Sequence, residues 1–347
     1  MAACMQGNAK RGILWTVITC VQCVFCVWTM PQDGAQAAAM SLSAASSWAA
    51  EASDAKRALP NNALPPTRSL PTVQLAPLGP EMVGNIRRVT LADGEKIVAL
   101  TFDMCELATV TTGCDMAVLN FLRDEQIPAT FFMGGKWMRT HARRVLQIMS
   151  EPRFEIGNHA WTHGNCALLS PQGLRTQVLW TQAQYELLRE EALRRFKAQG
   201  RGEPAWLAPV PTLFRLPYGR CNGASLAELA RMGLCVVQWD VAAESGDNRH
   251  PAQAKKAARV VAAQVKPGSI LLFHANCVPL GTAQLLREVV VLLRSQGYSF
   301  VTAGELLRRG RPQLHMDGYF SRPGDNLAWD KRFGPDGTGL RTPFSGE

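Results

Sequence analysis

The chain has no basic stripe with interleaved aromatic residues, although its 347 residues carry a formal net charge of +9. Its lysines and arginines are spread along the sequence, and aromatic residues make up only 7% of it. A protein that binds nucleic acid usually gathers its positive charge on one face and adds aromatic side chains for stacking. We therefore expect no nucleic-acid role, and we interpret the charge as a mild preference for anionic surroundings such as a cell-wall surface.

Long apolar runs are also scarce, because only one is present and it lies near the N-terminus, from Ile13 to Met30. Lys10 and Arg11 precede it, and Ala35-Gln36-Ala37 offers a small-x-small cleavage site, which is the plan of a secretory signal peptide. A retained membrane anchor is the alternative, since a spanning helix needs about 20 apolar residues. We predict that residues 1–37 direct export to the periplasm or the exterior, and that only they contact a membrane.

Two further stretches have compositions unlike that of a folded core. Residues 38–90 are rich in Ala, Ser and Pro and lack a sustained periodicity, which predicts a linker. Residues 311–347 are rich in Gly, Pro, Asp and Arg, which predicts an irregular tail over the surface of the domain. Tyr319, Trp329 and Phe333 are candidate anchors for that tail.

Between these stretches, residues 91–310 alternate between strand-like and helix-like segments, without a repeat of fixed period. A strand is predicted over Ala129–Met133 and a long helix over Pro171–Ala198, and the whole series makes seven strand–helix units. Such alternation is typical of a parallel sheet with helices outside it. We therefore predict an α/β fold, a distorted (β/α)7 TIM-like barrel of parallel strands surrounded by helices.

Four apolar, strand-like runs end on polar residues that can carry chemistry. These are Asp103 in Leu-Thr-Phe-Asp, His159 and His163 in Asn-His-Ala-Trp-Thr-His, Arg215 in Phe-Arg-Leu-Pro-Tyr, and His274 in Ile-Leu-Leu-Phe-His. A barrel of parallel strands gathers its reactive groups at the C-terminal ends of the strands. Two histidines with a carboxylate can hold a divalent metal, and a separate Asp and His can serve as base and acid. The pattern predicts metal-assisted hydrolysis.

Each of these residues also has a simpler structural interpretation. Catalytic zinc commonly takes two His nitrogens, a carboxylate and a water, but two nearby histidines can be unrelated. Asp103 is either a general base or the cap of a turn. Arg215 either holds a carboxylate, with Asp103 the natural partner, or lies on the surface in a proline turn. His274 either protonates a leaving amine or is a hydrogen-bonded core histidine.

Neighbouring residues extend the predicted site. Pro217 and Gly219 predict a fixed turn that can aim a backbone N–H at an oxyanion. A carboxylate on a neighbouring strand would settle the tautomer of His274. Asp247 in Glu-Ser-Gly-Asp is the first candidate for this carboxylate, and Asp240 in Gln-Trp-Asp is the second, unless it caps its strand.

Together these patches resemble the polysaccharide deacetylase (NodB-homology) family. The matching runs are Thr-Phe-Asp, His-Ala-Trp-Thr-His, Arg-Leu-Pro-Tyr, Trp-Asp with a following Asp, and Leu-Leu-Phe-His, in the family's order and spacing. The likeness covers about residues 96–307. It implies a distorted barrel of strand–helix units that uses a divalent metal to remove N-acetyl, and sometimes O-acetyl, groups from chitin, peptidoglycan and related glycans.

The resemblance also implies a role for each matching residue. The implied roles are base for Asp103, metal ligands for His159 and His163, orientation of the base for Arg215, oxyanion N–H donor for Tyr218, acid for His274, and partner of that acid for Asp247.

One position departs from the family pattern. A second Asp usually follows the base and completes the metal site, but here the residue is Met104, whose thioether is a poor ligand for a hard or borderline cation. Glu106 is the expected replacement, because some members carry a similar Asp-x-Cys-Glu run. Asp115 is the alternative, and a water or no ligand at all is the third possibility.

Five cysteines follow motif-bearing strands, and a sixth, Cys235, lies in a predicted strand. In an exported protein we expect disulfides that brace the loops at the barrel mouth. Reduced cysteines are the main alternative, and a thiolate nucleophile or a thiolate metal site is a weaker one. The pairing does not follow from the sequence. The five are Cys105, Cys114, Cys166, Cys221 and Cys277.

These observations predict an exported hydrolase that acts on carbon–nitrogen bonds other than peptide bonds. Its expected substrate is an acetylated polysaccharide such as peptidoglycan, a chitin-like glycan or poly-N-acetylglucosamine, and its expected cofactor is a divalent metal, with zinc favoured. A catalytically inactive glycan-binding protein on the same barrel is the main alternative, motivated by Met104. A metallopeptidase is a weaker one, because the chain lacks a helical His-Glu-x-x-His signature.

Overall fold

The structure is a computed structural model that describes residues 48–55, 64–244 and 248–345. The predicted signal peptide or anchor lies outside these ranges, as does part of the predicted linker. Within the described ranges, no helix combines the length and the apolar character that crossing a membrane requires.

Ten strands in the described ranges form one curled sheet. They are β1 (Asn85–Thr90), β2 (Ile97–Met104), β3 (Ala129–Met133), β4 (Phe154–Asn158), β5 (Leu213–Phe214), β6 (Cys235–Val237), β7 (Val241–Ala242), β8 (Ile270–His274), β9 (Ser299–Val301) and β10 (Arg311–His315). Their order is β10-β1-β6-β5-β4-β3-β2-β8-β7, and β9 pairs with β2 outside this path. The named strands pair in parallel, except that β10 runs antiparallel to β1.

Eight α-helices in the described ranges surround the sheet. They are α1 (Met116–Asp124), α2 (Gly135–Thr140), α3 (Ala142–Ser150), α4 (Pro171–Ala198), α5 (Gly223–Arg231), α6 (Pro251–Gln264), α7 (Thr282–Ser295) and α8 (Ala303–Arg309). The longest helix, α4, has the predicted bounds. It begins where it does because the Ser170 side chain accepts a hydrogen bond from the Gly173 N–H and Pro171 occupies the first turn.

One predicted strand is divided into two shorter strands. We expected a single strand over residues 235–241, but the structure divides it into β6 and β7. β6 pairs with β1 and β5, whereas β7 pairs with β8 at the far end of the sheet. Between them, the Gln238 N–H donates to Ile86 O at 2.8 Å and the Asp240 N–H donates to Ile270 O at 3.2 Å. The chain thus passes from β6, which lies between β1 and β5, to β7 at the far edge of the sheet. The predicted α/β fold is confirmed as a curled, mostly parallel sheet, a half-barrel surrounded by helices.

The two faces of β2 pack against different surroundings. Phe102 stacks on Phe131 and Phe273 from neighbouring strands, with ring centroids 5.3 and 5.4 Å apart, in the apolar layer beneath the helices. Ile97 and Ala99 belong instead to a smaller cluster within the barrel. Because successive strand residues point to opposite faces, this alternation places Thr101 and Asp103 towards the barrel interior.

The sequence prediction missed two strands and one helix. β1 lies in the predicted linker and β10 in the predicted irregular tail, and α2 precedes the helix expected from residue 141. The charged run in β1 conceals the strand, because Arg87 is buried rather than solvated. Its guanidinium donates to Tyr319 O and Phe320 O at 3.0 Å each and lies 3.6 Å from the centre of the Tyr319 ring. Only the folded tail supplies these partners.

Candidate active site

The predicted polar residues meet at one mouth of the barrel. Asp103 near the end of β2 is the register partner of His274, the last residue of β8. His159 follows β4 directly, and Arg215 follows β5. Because these strands are parallel, their carboxyl ends face the same side, and residues separated by more than a hundred positions become neighbours.

Arg215 holds one oxygen of Asp103 in the barrel interior. Its Nη1 donates to Asp103 Oδ1 at 3.1 Å and to Thr101 Oγ1 at 2.7 Å. Its remaining nitrogens donate to the carbonyls of Val237 and Gln238 at 3.0 Å each, and its side chain is fully buried. This charge-assisted hydrogen bond holds Oδ1 in place. The second oxygen, Asp103 Oδ2, is directed towards His159 Nε2 at 3.5 Å.

His159 presents a bare nitrogen to the site. Its Nδ1 lies 2.9 Å from Arg215 O, and because a carbonyl can only accept, Nδ1 carries the proton. Nε2 is therefore unprotonated, and it is buried without a hydrogen-bond partner among the described residues. Burial lowers the pKa of His159, and this effect exceeds the opposing one of Asp103. The imidazole is neutral, as a metal ligand must be.

His163 lies against His159 on a strained turn. The ring centroids of the two histidines are 4.8 Å apart. His163 has a φ of +58°, in the left-handed region, which costs about 1–3 kcal/mol and persists only where the surroundings enforce it. The turn is held by Asn158 Oδ1, which accepts from the Ala160 N–H at 2.9 Å. Burial and the neighbouring His159 lower the pKa of His163 well below its usual value.

Cys105 joins the two histidines in the one cluster of potential metal ligands within the described residues. One ligand atom from each of Cys105, His159 and His163 lies within 4.8 Å of the others. Burial raises the pKa of the Cys105 thiol well above its ordinary value, with Asp103 and Glu106 adding to the effect. The sulfur is therefore a neutral thiol until a cation displaces its proton.

Glu106, the expected third ligand, lies elsewhere. Its Oε2 accepts from Lys136 Nζ at 3.1 Å and from Thr140 Oγ1 at 2.9 Å, and its Oε1 accepts from the Thr112 N–H at 3.0 Å. The fully buried Glu106–Lys136 ion pair connects the loop after β2 to α2. Glu106 lies in the loop after β2, two residues beyond Met104, and its contacts with Lys136 and Thr140 hold its carboxylate towards α2.

Asp115 does not fill the ligand position either. Its carboxylate caps α1, where Oδ1 accepts from the Ala117 and Val118 N–H groups at 3.0 and 3.3 Å. Met104 is fully buried in the layer beneath the helices. The structure thus assembles two of the three expected ligands, His159 and His163, and places the candidate carboxylates after Asp103 outside the cluster.

The donor set fits a divalent ion of the zinc type. His159 Nε2 and Asp103 Oδ2 both carry lone pairs and face each other at 3.5 Å, which is favourable only when a proton or a cation lies between them. A buried imidazole nitrogen without a partner costs about 1–3 kcal/mol. Neutral imidazoles and a thiol are ligands that zinc accepts. The residues present therefore suit the metal that the family resemblance implies.

His274 is paired with a carboxylate that the sequence analysis did not name. Its Nδ1 lies 2.5 Å from Glu244 Oε2, and the Thr282 hydroxyl donates to the other oxygen of Glu244. Burial acts to lower the pKa of His274, but the charge and hydrogen bond of Glu244 exceed this effect and raise it. The imidazole is therefore favoured in its protonated form, which suits an acid.

The two predicted partners of His274 have different outcomes. Asp247 lies outside the described residues, so its role stays a prediction. Asp240 does not contact His274, because its carboxylate accepts from Ser269 Oγ and the Ile270 N–H at 2.8 Å each. This is the strand-end role that the sequence analysis kept as its alternative.

The C-terminal tail holds Tyr218 in place. Tyr218 follows Pro217 with a φ of +60°, again in the left-handed region. Its hydroxyl donates to Gly337 O at 2.5 Å, and its carbonyl accepts from Asn326 Nδ2 at 2.9 Å. Its ring stacks on Trp329 at 5.8 Å between centroids. The tail is thus part of the site rather than a surface covering, which corrects the prediction for residues 311–347.

One cavity of about 540 Å³ connects these groups. Asp103, Cys105, His163, Tyr218 and His274 line its polar end. Most of its wall is apolar and aromatic, and the tail contributes three of its four larger aromatic side chains. Its size falls within the range of about 300–1,000 Å³ that is usual for small-ligand sites. The larger aromatic residues in the wall are Trp239, Phe320, Trp329 and Phe333.

Sequence reasoning missed Glu244 and the role of the tail, and it did not single out Cys105 among the cysteines at the mouth. Cys105 was detectable, because it continues the alternation of Thr101 and Asp103 along β2. Glu244 had no comparable signal, since the turn after β7 determines which carboxylate reaches His274. In the sequence, the tail was marked by its aromatic residues, and two of these, Trp329 and Phe333, line the cavity.

The expected disulfides are not formed. All six cysteines of the described residues are free, and five of them lie near the barrel mouth as predicted. Burial raises the pKa of Cys277 to about 11 and that of Cys235 to about 12, so neither is a reactive thiolate at neutral pH.

Comparison with known proteins shows what the chain is similar to. A family model described as polysaccharide deacetylase matches residues 91–200. The peptidoglycan-N-acetylglucosamine deacetylase PgdA of Listeria monocytogenes is 31% identical over 221 residues, which are 64% of this chain and 41% of that protein. A peptidoglycan-N-acetylglucosamine deacetylase of Bacillus cereus is 30% identical over 217 residues, which are 62% of this chain and 90% of that protein.

A solved structure has the same fold. The crystal structure of the Bc1960 peptidoglycan N-acetylglucosamine deacetylase superposes with a TM-score of 0.50 at 22% identity, covering 66% of this chain and 95% of that one. A chitooligosaccharide deacetylase of Bradyrhizobium is 28% identical over 186 residues, 54% of this chain and 74% of that protein. The chain spans about two fifths of the Listeria relative and nine tenths of the Bacillus cereus one.

Proposed function

Because the chain belongs to the polysaccharide deacetylase family, we propose that it is a metal-dependent hydrolase that removes acetyl groups from a cell-wall or extracellular polysaccharide. The observation that carries this proposal is that three groups of residues lie together around one cavity. They are the Asp103–Arg215 pair, the bare nitrogen of His159 beside His163, and the His274–Glu244 pair.

His159 and His163 are the residues that would hold a divalent ion, with zinc favoured by their neutral imidazoles. When bound, such an ion supplies a Lewis acid and lowers the pKa of a coordinated water to near neutrality. The hydrogen bond from His159 Nδ1 to Arg215 O keeps the second nitrogen free for this role.

Asp103 acts as the base on the attacking water. Arg215 occupies Oδ1, so the proton goes to Oδ2, which faces the histidines. The buried guanidinium lies against the carboxylate and holds it in orientation before it accepts the proton. The attacking water must lie near both Asp103 and the acetyl carbonyl. Because the carboxylate is already held in place, less entropy is lost when the reacting groups come together.

Tyr218 and His274 act on the substrate. The Tyr218 N–H, on its strained turn, donates to the carbonyl oxygen as that oxygen gains negative charge. His274 then transfers its proton to the departing amine nitrogen as the carbon–nitrogen bond breaks. Water and the acetamide thereby yield acetate and a free amino sugar, and the same groups can release acetate from an O-acetyl ester.

The cavity wall suits a glycan. Trp239, Phe320 and Trp329 offer flat apolar surface on which the C–H face of a sugar ring can pack. We propose an acetylated polysaccharide as substrate, with peptidoglycan, a chitin-like glycan and poly-N-acetylglucosamine as the classes to test. The net charge of +9 favours an anionic wall polymer. Export through residues 1–37, by a cleaved signal or a retained anchor, belongs to the same proposal.

Acetate release from N-acetylglucosamine oligomers and from peptidoglycan tests this function. We expect turnover that stops on chelation, returns with added zinc, and falls by about 100-fold or more in His159→Ala, since even outer-shell partners cost 10–100-fold. His250→Ala is the matched control, because His250 is an exposed helix cap away from the cavity. Unchanged turnover after chelation, or in His159→Ala, would remove the metal mechanism.

A glycan-binding protein without hydrolytic activity is the second candidate. It is favoured by Met104, which replaces the family's usual carboxylate and is buried in the core. This candidate predicts that oligosaccharides bind the purified protein with zinc present while no acetate is released. Acetate release under the same conditions excludes it.

A further inference from the structure

We propose that Cys105 is the third protein ligand of the metal, taking the place that a carboxylate occupies in the family pattern. This inference rests on the proposed function only in sharing its metal site. It assigns a nitrogen, nitrogen and sulfur donor set to His159, His163 and Cys105.

The three ligand atoms are close enough to share one ion. They lie within 4.8 Å of one another. Around a tetrahedral zinc, with bonds of about 2.0–2.1 Å to nitrogen and about 2.3 Å to sulfur, such atoms are about 3.3–3.6 Å apart. Closing this gap requires movements of about 1 Å, which side-chain rotation supplies. His159 Nε2 is buried and has no hydrogen-bond partner in the described part of the chain, so it is free to bind an ion.

The alternation of β2 explains why the cysteine, rather than its neighbours, reaches the site. Phe102 and Met104 pack in the layer beneath the helices. Thr101 and Asp103 face the interior, where each accepts a hydrogen bond from Arg215 Nη1. Cys105 continues the interior series and lines the same cavity as Asp103.

A neighbouring residue is placed to orient the sulfur. Asn276 Nδ2 donates to Cys105 O at 3.1 Å and lies 3.8 Å from Cys105 Sγ. Thr112 Oγ1 donates to the same carbonyl at 2.9 Å. Such outer contacts hold a first ligand in position, and they strengthen when the thiol loses its proton to solvent as it coordinates.

The donor set has a consequence for metal choice. Two imidazoles and a thiolate suit zinc and cobalt, whereas magnesium, calcium and manganese prefer oxygen ligands. We therefore expect zinc to bind the protein much more tightly than manganese or magnesium. A carboxylate third ligand would narrow this difference.

Cobalt substitution tests the assignment directly, because zinc has no useful absorption whereas Co2+ reports its ligands. The full chain is stripped with a chelator and titrated with Co2+. The expected result is one bound equivalent with near-ultraviolet thiolate-to-cobalt charge transfer. Cys105→Ser should abolish this band and weaken zinc binding by about 100-fold or more, whereas outer-shell changes cost 10–100-fold.

Three further variants complete the test. Cys277→Ser is the matched control, since Cys277 is a free thiol near the same mouth but outside the ligand cluster, and it should keep the band. Cys105→Asp should regain zinc affinity without charge transfer, which shows that the fold survives. Glu106→Gln should keep the band. Charge transfer that persists in Cys105→Ser, or cobalt binding without it in the wild-type protein, overturns the proposal.

Parallel acetate assays separate the two proposals. Acetate release by a wild-type protein whose cobalt form lacks charge transfer would refute the cysteine ligand and leave the deacetylase function standing. The cobalt band without acetate release from any acetylated glycan would refute the function and leave the metal site standing.

Discussion

Replacing Arg215 with methionine tests how the site is built, because this guanidinium is fully buried and neutralises a carboxylate that is also buried. Methionine keeps much of the volume and all of the flexibility, so the main loss is charge and hydrogen bonding rather than packing. Asp103 would remain in the barrel interior with one oxygen unpaired. The Val237 and Gln238 carbonyls would lose their donors as well.

The expected cost follows from these contacts. Removing one partner of a buried ion pair costs about 3–5 kcal/mol, and each lost hydrogen bond adds about 1 kcal/mol. Against a total stability of about 5–15 kcal/mol, the variant should be severely destabilised. With a urea m-value of about 2 kcal/mol/M, a total cost of about 5–8 kcal/mol lowers the unfolding midpoint by about 2.5–4 M.

The assay is urea unfolding of the metal-free protein, since a bound cation would itself compensate Asp103. Arg294→Met is the matched control, because Arg294 forms an exposed pair with Glu125 and should cost less than about 1 kcal/mol. Adding Asp103→Asn to Arg215→Met should recover about 1–3 kcal/mol of the sum, since the neutral amide removes the unpaired charge. Equal costs for the two arginines, or strict additivity in the double variant, would refute the buried-pair reasoning.

Three other predictions concern the acid, the wall and the misplaced carboxylate. Glu244→Gln should move the alkaline fall of kcat/KM to lower pH. The reason is that His274 must be protonated to act, and the variant removes the carboxylate charge that raises the pKa of His274. A pH–rate profile whose alkaline fall stays at the same pH would exclude this pairing. Trp329→Ala should raise KM for oligosaccharides several-fold with a smaller change in kcat, as steady-state kinetics would show, if the tail wall binds glycan. Lys136→Met should cost about 3–5 kcal/mol in urea unfolding while zinc affinity stays within a few-fold, because Glu106 is then buried without its partner; a large loss of zinc affinity would return Glu106 to the metal site.

The C-terminal tail holds the backbone turn at Tyr218. Tyr218 is held through its hydroxyl, its carbonyl and its ring by residues more than a hundred positions later in the chain. Asp330 of the tail adds an ion pair to Arg220, directly beyond this turn, at 2.7 Å. The backbone turn that carries the proposed oxyanion donor is therefore as rigid as the tail that packs on it.

Local patterns in the sequence were sufficient for most of the barrel. Apolar runs with strand-like or helical spacing placed α4, β3 and β4 within a residue of their final bounds, because these periods depend only on neighbours along the chain. Polar residues at the ends of such runs also placed His159 and His274 at one mouth, since parallel strands share their direction. β1 escaped detection because Arg87 finds its partners only in the folded tail.

Cys105 follows the last residue of β2 directly, so its place at the barrel mouth was within reach of the sequence, whereas its role as a metal ligand is a proposal from the structure. The tertiary structure alone decided which carboxylate meets His274, thirty residues away at Glu244, and which rings wall the cavity. Those choices depend on how turns and the C-terminal segment pack, and contacts between distant residues leave no period in the sequence from which they could be predicted.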